Sequence, residues 1–342
     1  MEKGIHTRRE ILSQPDAWNQ ALKVIEQTRK PLAPLLGEEY EQVLFTGCGS
    51  TYYLSLSAAA LFQGLTGRVA RAVPGGELLL NPAVTLGHGS ALLVAVSRSG
   101  STTETIRAVE QFKRQNRGPV VVVTNYGDQP LAKLADVALE IEKGQEQSVA
   151  QTRSFASMFV AATALAALAA GDESLLQAMG GLPNAGRKLL TAYDSLAEQF
   201  GRNLALDRFY FLGSGICYGL ACEANLKMKE MTLTHSESFH FLEFRHGPMS
   251  MVTESSVVVG LLSEKNFKHE SAVLNEMAAK GAQILSLAES GASISFDSGI
   301  PESVRSVLYL PILQWMAFHR SLAKGLDPDR PNNLTAVVKL DL

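Results

Sequence analysis

The chain has 342 residues, enough for two domains of ordinary size. Apolar residues make up 46% and charged residues 19%, a globular composition that excludes a disordered chain and needs no staples for its core. Thirty-one basic against 34 acidic residues leave a net charge of −3, which argues against a nucleic-acid or acidic-membrane surface but permits a local basic pocket for one phosphate.

Residues 1–37 read as one or two helices closed by Pro31 and Pro34, which break the helical pattern and form a linker. The charged start MEKGIHTRRE is followed by no apolar stretch, so no signal peptide is expected. Gln42–Thr46 is a short apolar strand feeding Gly47-Cys48-Gly49-Ser50, with a helix over Tyr52–Phe62. Ala91–Val96 is a second buried strand, ending in SRSGST (Ser97–Thr102), and a helix over Thr103–Gln115 follows. Val120–Thr124 is a third strand, a helix runs through Leu131–Ala135, and Val137–Ile141 is a fourth strand. Ser154–Ala170 is the most apolar run; at the shortest length that spans a bilayer and rich in alanine, it reads as a buried core helix. Near-continuous apolar strands alternating with helices predict an α/β fold with a parallel sheet covered on both faces.

The pattern then repeats. Phe209–Leu212 feeds Gly213-Ser214-Gly215 and a helix over Tyr218–Met231; Ser256–Leu262 is the next strand, Ala272–Lys280 a helix and Gln283–Leu287 a strand. Gly47 to Ser97 and Gly213 to Ser263 are both 50 residues, so a duplicated unit in one register is expected. The first lobe is placed at 38–170, the second at 198–325, and a tail at 326–342.

In such sheets ligands bind beyond the carboxyl ends of the strands, where GCGST and SRSGST fall. Glycines permit close approach, and the following helix N-terminus aims N–H groups at an anion. Ser50, Thr51, Ser97, Ser99 and Thr102 add hydroxyls and Arg98 adds charge. The competing role for these hydroxyls is helix N-capping. The second copy reads SEKNFK where the first reads SRSGST, so one phosphate site per chain is expected. Gly47-x-Gly49 lacks a third glycine and there is no P-loop, so no nucleotide cofactor is expected.

In the second lobe Lys227 and Glu230 stand three apart on one helical face, either a surface ion pair or part of a site. His246 lies before Gly247-Pro248, in a rigid loop only 16 residues after Glu230. A carboxylate that lifts and returns a carbon-bound proton, with a second group to open a ring, suits sugar isomerisation. His6, His88, His235, His240, His269 and His319 show no metal spacing, so no metal site is expected. Cys48, Cys217 and Cys222 form neither a disulfide framework nor a zinc signature, which points to a reducing cytoplasm.

GCGST, SRSGST, VAQTRSF, EANLKMKE and EFRHGP together resemble the tandem SIS (sugar isomerase) family, over nearly the whole chain. The resemblance is to the isomerase half of glucosamine-6-phosphate synthase, whose stretches read like GCGTS, SQSGET, VASTKAF, EGALKLKE and ELKHGP, and to stand-alone SIS-type glucosamine-6-phosphate deaminases. It implies two tandem SIS domains, each a doubly wound, flavodoxin-like parallel sheet between helices. It further implies that Ser50, Thr51, Ser97, Arg98, Ser99 and Thr102 hold a sugar phosphate and that Val149 and Gln151 line the sugar. Glu230 would be the base working between C1 and C2, Lys227 its helper, and His246 the ring-opening group, supplied across a homodimer with shared active sites. Two departures stand out. The first cysteine is Cys48, so no glutaminase nucleophile precedes it. The family's tail, like PRNLAKSVTVE, carries a lysine where this chain has Ala336, with Lys339 three residues later on a strand-like tail. The expected function is an aminosugar-phosphate isomerase/deaminase, giving fructose 6-phosphate and ammonia from glucosamine 6-phosphate. A fructosamine 6-phosphate deglycase and a non-catalytic phosphosugar sensor are the alternatives.

Overall fold

The structure, a computed structural model, describes residues 3–37 and 40–341. Residue 38, where the first lobe is expected to begin, lies outside the described residues. The chain forms two compact units. One holds the described residues of Ser13–Glu146, Arg153–Gly180 and Thr335–Leu342; the other holds those of Met1–Leu12, Gln147–Thr152 and Gly181–Leu334.

Helix α1 (Ile5–Gly37) is a single helix of 33 residues with Pro15, Pro31 and Pro34 inside it. The expected linker at Pro31 and Pro34 is therefore absent. An interior proline costs about 3 kcal/mol. Leu32 and Leu36, at 0% and 5% exposure, each gain about 1.5–3 kcal/mol from burial, which offsets that cost.

The unit that follows runs β1 (Gln42–Gly47), α2 (Ser50–Thr66), β2 (Ala70–Pro74), α3 (Gly75–Leu80), α4 (Pro82–Thr85), β3 (Ala91–Ser97), α5 (Thr103–Arg114), β4 (Val120–Thr124), β5 (Val137–Glu140), α6 (Arg153–Ala169) and α7 (Glu173–Met179). Its strands lie in the order β2-β1-β3-β4-β5, all parallel. β3 and β4 are buried at every position, as their unbroken apolar runs require. The expected helix at Leu131–Ala135 is a single 3₁₀ turn, Ala132–Leu134. Almost all of α6 is buried, as expected of an alanine-rich core helix. Among the described residues no helix is long and apolar enough to cross a membrane.

The other unit runs α8 (Leu182–Ala192), α9 (Asp194–Arg202), β6 (Arg208–Gly213), α10 (Ile216–Thr232), β7 (His235–Phe239), β8 (Ser256–Leu261), α11 (Phe267–Ala279), β9 (Gln283–Ala288), β10 (Ile294–Ser295), α12 (Glu302–Arg305) and α13 (Leu310–Ala323). Its sheet order, β10-β9-β8-β6-β7, is the first order read backwards, again all parallel. Each sheet thus has the doubly wound arrangement, with its topological switch between β1 and β3 or between β6 and β8. The same turn follows β1 and β6: Gly49 has φ 57, ψ −124 and Gly215 has φ 56, ψ −124, a region that side chains with a Cβ avoid.

The two copies differ by one residue in register. Thr46 pairs with Ala95, but Leu212 pairs with Gly260. Measured from its paired strand, Ser263 therefore lies one residue further along than Ser97 does, despite the equal 50-residue spacing. The tail contains no strand among the described residues 326–341.

Candidate functional site

In the first unit the loop Ser97–Thr102 leaves the carboxyl end of β3. Ser97 is buried, and its hydroxyl accepts the Gly100 N–H at 3.2 Å. Ser99 is half-buried; its hydroxyl accepts the Ser101 N–H at 3.2 Å and lies 3.5 Å from the Thr102 hydroxyl. Thr102 is the N-cap of α5, yet its side chain makes no capping bond. Ser99 and Thr102 thus present adjacent, half-buried hydroxyls beside a helix N-terminus, where an anion is favoured. Ser50, buried, opens α2 on the neighbouring loop. Thr51 is tied into that loop: its hydroxyl accepts the Cys48 N–H and donates to the Cys48 carbonyl, each at 2.9 Å. Cys48 is half-buried, with Sγ 3.5 Å from the Thr105 hydroxyl. Burial raises its thiol pKa, which disfavours the nucleophilic thiolate.

Arg98 is buried and committed to its own chain. Nη2 donates to the Ala336 carbonyl at 2.6 Å, and Nη1 lies 3.9 Å from Glu146 Oε2. Glu146, whose side chain is fully buried, also accepts from the N–H and hydroxyl of Ser154 at the start of α6. The Thr103 N–H donates to the Val338 carbonyl at 3.4 Å, and the Leu340 N–H donates to the Thr103 hydroxyl at 3.1 Å. The tail is thereby fastened to the start of α5, and Arg98 is in direct contact with Ala336, the position where the tail departs from the family. Lys339 is exposed.

In the second unit α10 carries Glu223, Lys227 and Glu230 at i, i+4 and i+7, along one face. Lys227 is 1% exposed, hydrogen-bonded to Glu230 and 3.4 Å from Glu223 Oε1. This is a buried ladder, not a surface ion pair. Glu223 is fully buried, whereas the Glu230 side chain is 21% exposed and forms the open rung. Burial disfavours the charge on Lys227, but Glu223 and then Glu230 more than offset this and raise its pKa. An ammonium locked between two carboxylates fixes the outer one, Glu230, in direction. The sequence reading missed Glu223, because it weighed the three-residue pair and not the four-residue one before it.

His246 is exposed, and its ring makes no hydrogen bond or ion pair among the described residues. Its loop is nonetheless rigid. Phe244 is fully buried against Tyr210 and Phe239, with ring centroids 5.1 and 5.4 Å away, and Arg245 Nε donates to Glu276 at 2.8 Å. Val149 and Gln151 lie in the same unit. The Val149 N–H donates to the Asp329 carbonyl at 3.0 Å, and Gln151 Oε1 is buried with no hydrogen-bond partner among the described residues. The Asp329 carboxylate in turn accepts from the Thr7 N–H and hydroxyl, each at 2.7 Å, closing the first turn of α1. Among the described residues no group of three or more His, Cys, Asp or Glu side chains is placed to hold a metal ion.

The SIS domain model matches residues 38–168 and 206–298. Curated relatives include the isomerising glutamine–fructose-6-phosphate aminotransferases of Methanothermobacter thermautotrophicus (26% identical) and Pyrococcus horikoshii (29% identical). Each match covers 97% of this chain but 57% of the relative, so the chain spans a little over half their length. Among solved structures, glucosamine-6-phosphate deaminase from Thermotoga maritima superposes with TM-score 0.81 at 26% identity, covering 97% of this chain and 100% of that one. The tagatose-6-phosphate ketose/aldose isomerase of Escherichia coli superposes with TM-score 0.85 at 25% identity, covering 95% of each chain. With two matched segments that together span about two thirds of its residues, the chain belongs to the SIS domain family.

Proposed function

We propose that the protein is a cytoplasmic phosphosugar isomerase/deaminase that converts an aminosugar phosphate such as glucosamine 6-phosphate, with water, to fructose 6-phosphate and ammonia. The observation that carries this reading is the buried Glu223–Lys227–Glu230 ladder with Glu230 as its open end. Likeness to the Thermotoga maritima glucosamine-6-phosphate deaminase supports the substrate class.

Ser50, Ser97, Ser99 and Thr102 receive the phosphate, with Thr51 shaping the first loop and Arg98 securing the second. Val149 and Gln151 line the sugar. His246, held outward on its rigid loop, serves ring opening in a neighbouring copy, so the working form is a homodimer. Glu230 then takes the C2 proton of the open aldose, and the C1–C2 enaminol forms. Returning that proton to C1 leaves a C2 imine. Water adds to C2, ammonia departs and the ketose remains. Lys227, kept protonated by its two carboxylates, holds Glu230 in direction through its hydrogen bond at each turn of the cycle.

A second reading, ketose/aldose isomerisation without loss of amine, is favoured by the likeness to the Escherichia coli tagatose-6-phosphate ketose/aldose isomerase. One experiment separates them. The purified protein is mixed with glucosamine 6-phosphate, galactosamine 6-phosphate and fructosamine 6-phosphate, and ammonia, amine and ketose phosphate are followed. Ammonia from glucosamine 6-phosphate, lost in Glu230→Gln, is the expected result. Ketose–aldose interconversion of a neutral sugar phosphate without ammonia supports the second reading, and equal turnover in Glu230→Gln refutes the role of Glu230 in both.

A further inference from the structure

At the carboxyl end of β8 the chain turns through Leu262–Asn266 into α11. In a parallel sheet of this order, such a turn is where backbone N–H groups and a helix N-terminus receive an oxyanion. Here two successive N–H groups are already taken by carboxylates of the chain itself. The Ser263 N–H donates to Glu270 Oε2 at 2.7 Å, and the Ser263 hydroxyl donates to the same oxygen at 3.0 Å. The Glu264 N–H donates to Glu302 Oε1 at 2.7 Å.

The turn is built like the loop after β3. The Ser263 hydroxyl accepts the Asn266 N–H at 3.2 Å, as the Ser97 hydroxyl accepts the Gly100 N–H at 3.2 Å. Asn266, the N-cap of α11, makes no side-chain capping bond. Glu270 is 2% exposed, and its other oxygen, Oε1, is buried with no hydrogen-bond partner among the described residues. Leaving a buried carboxylate oxygen idle is unfavourable, and the first turn of a helix does not require it. Burial raises the pKa of this carboxyl, against the lowering effect of its Ser263 bonds. Arg305, 2% exposed, balances the cluster: Nη2 donates to Glu264 at 2.8 Å, and Nε lies 3.3 Å from Glu289.

We propose that Ser263–Asn266 is an oxyanion seat occupied by the chain's own Glu270 and Glu302 carboxylates, and that their removal opens it to inorganic phosphate. This rests on the reading that Ser97–Thr102 holds a phosphate, and gives a physical reason for one phosphosugar per chain: the second copy of the seat is filled from within.

The test counts radiolabelled inorganic phosphate bound per full-length chain by equilibrium dialysis, in wild type and in Glu270→Ala/Glu302→Ala. One additional phosphate in the double variant is expected, with tungstate soaked into its crystals lying against the Ser263 and Glu264 N–H groups. An unchanged count, or an added anion bound elsewhere, overturns the proposal. If the double variant does not fold, Glu302→Ala alone, at a half-buried position, is melted against rising phosphate. Its midpoint should climb further than that of wild type, and parallel curves overturn the proposal. No phosphate on wild type with one on the double variant refutes the reading of the first loop and leaves this seat standing. One phosphate on each does the reverse.

Discussion

Replacing Lys227 with methionine keeps most of the side-chain length and removes the ammonium. Glu223, fully buried, then loses the cation 3.4 Å away, and Glu230 loses its hydrogen bond. Breaking one partner out of a buried ion pair costs about 3–5 kcal/mol, because a desolvated charge is left uncompensated. Urea unfolding at pH 7 should show Lys227→Met less stable by about that amount. Adding Glu223→Gln, which removes the stranded charge, should return more than half of the loss. The pH dependence follows from the raised Lys227 pKa. A cation held above its ordinary value of 10.5 contributes its full stabilisation below that pH, and the contribution is lost as pH rises through the folded-state value. Wild type should therefore keep this stabilisation at neutral pH and lose it in the alkaline range, and Lys227→Met should lack that alkaline loss. A methionine variant as stable as wild type at pH 7, or a double variant no better than the single, refutes the ladder as a coupled buried unit.

The other predictions concern the loops. Ser99→Ala should weaken binding of a sugar phosphate about 10–150-fold, the equivalent of about 1.5–3 kcal/mol for one hydrogen bond to a charged group, and leave binding of the unphosphorylated sugar unchanged; titration calorimetry with both ligands measures this. Arg98→Gln should release the tail, so that exchange of the Leu340 amide, which donates to the Thr103 hydroxyl, speeds up by about tenfold, as for the loss of one hydrogen bond of about 1.5 kcal/mol; unchanged exchange would mean the Ala336 contact does not fasten it. Burial pushes the Cys217 thiol up to about 12, so iodoacetamide at pH 8 should leave it unlabelled in the native protein and label it in denaturant, as mass spectrometry of the peptides would show.

The sequence made the central strands legible because β3, β4 and β8 are buried on both faces and consist of unbroken apolar runs. It hid β7, HSESF, because an edge strand with one paired side tolerates polar residues, and this one reads as a loop. Pro31 and Pro34 misled in the opposite sense: local preference argued for a break, and the burial of Leu32 and Leu36 overrode it. At the site, the hydroxyls of Ser97–Thr102 were readable from their place after an apolar strand. The engagement of Arg98 with Ala336 was not, since 238 residues separate the two and no local pattern connects them. Glu223 was legible in principle, because its spacing from Lys227 is a helical contact, but only depth of burial distinguishes a ladder from a solvated pair.

The bond between Thr7 and Asp329 has a bearing on how the chain is made. The first helix in sequence is closed by a carboxylate that lies 322 residues later. A chain growing from the ribosome therefore carries the opening turn of α1 uncapped until the segment around Asp329 has emerged, and the same late segment supplies the carbonyl that fixes Val149. The central strands can pair through nearby contacts as they appear, whereas this end of α1 and the Val149 loop both wait on the segment around Asp329. Synthesis stalled a few residues short of Asp329 would yield sheets that are already formed and a Val149 loop that is not yet set.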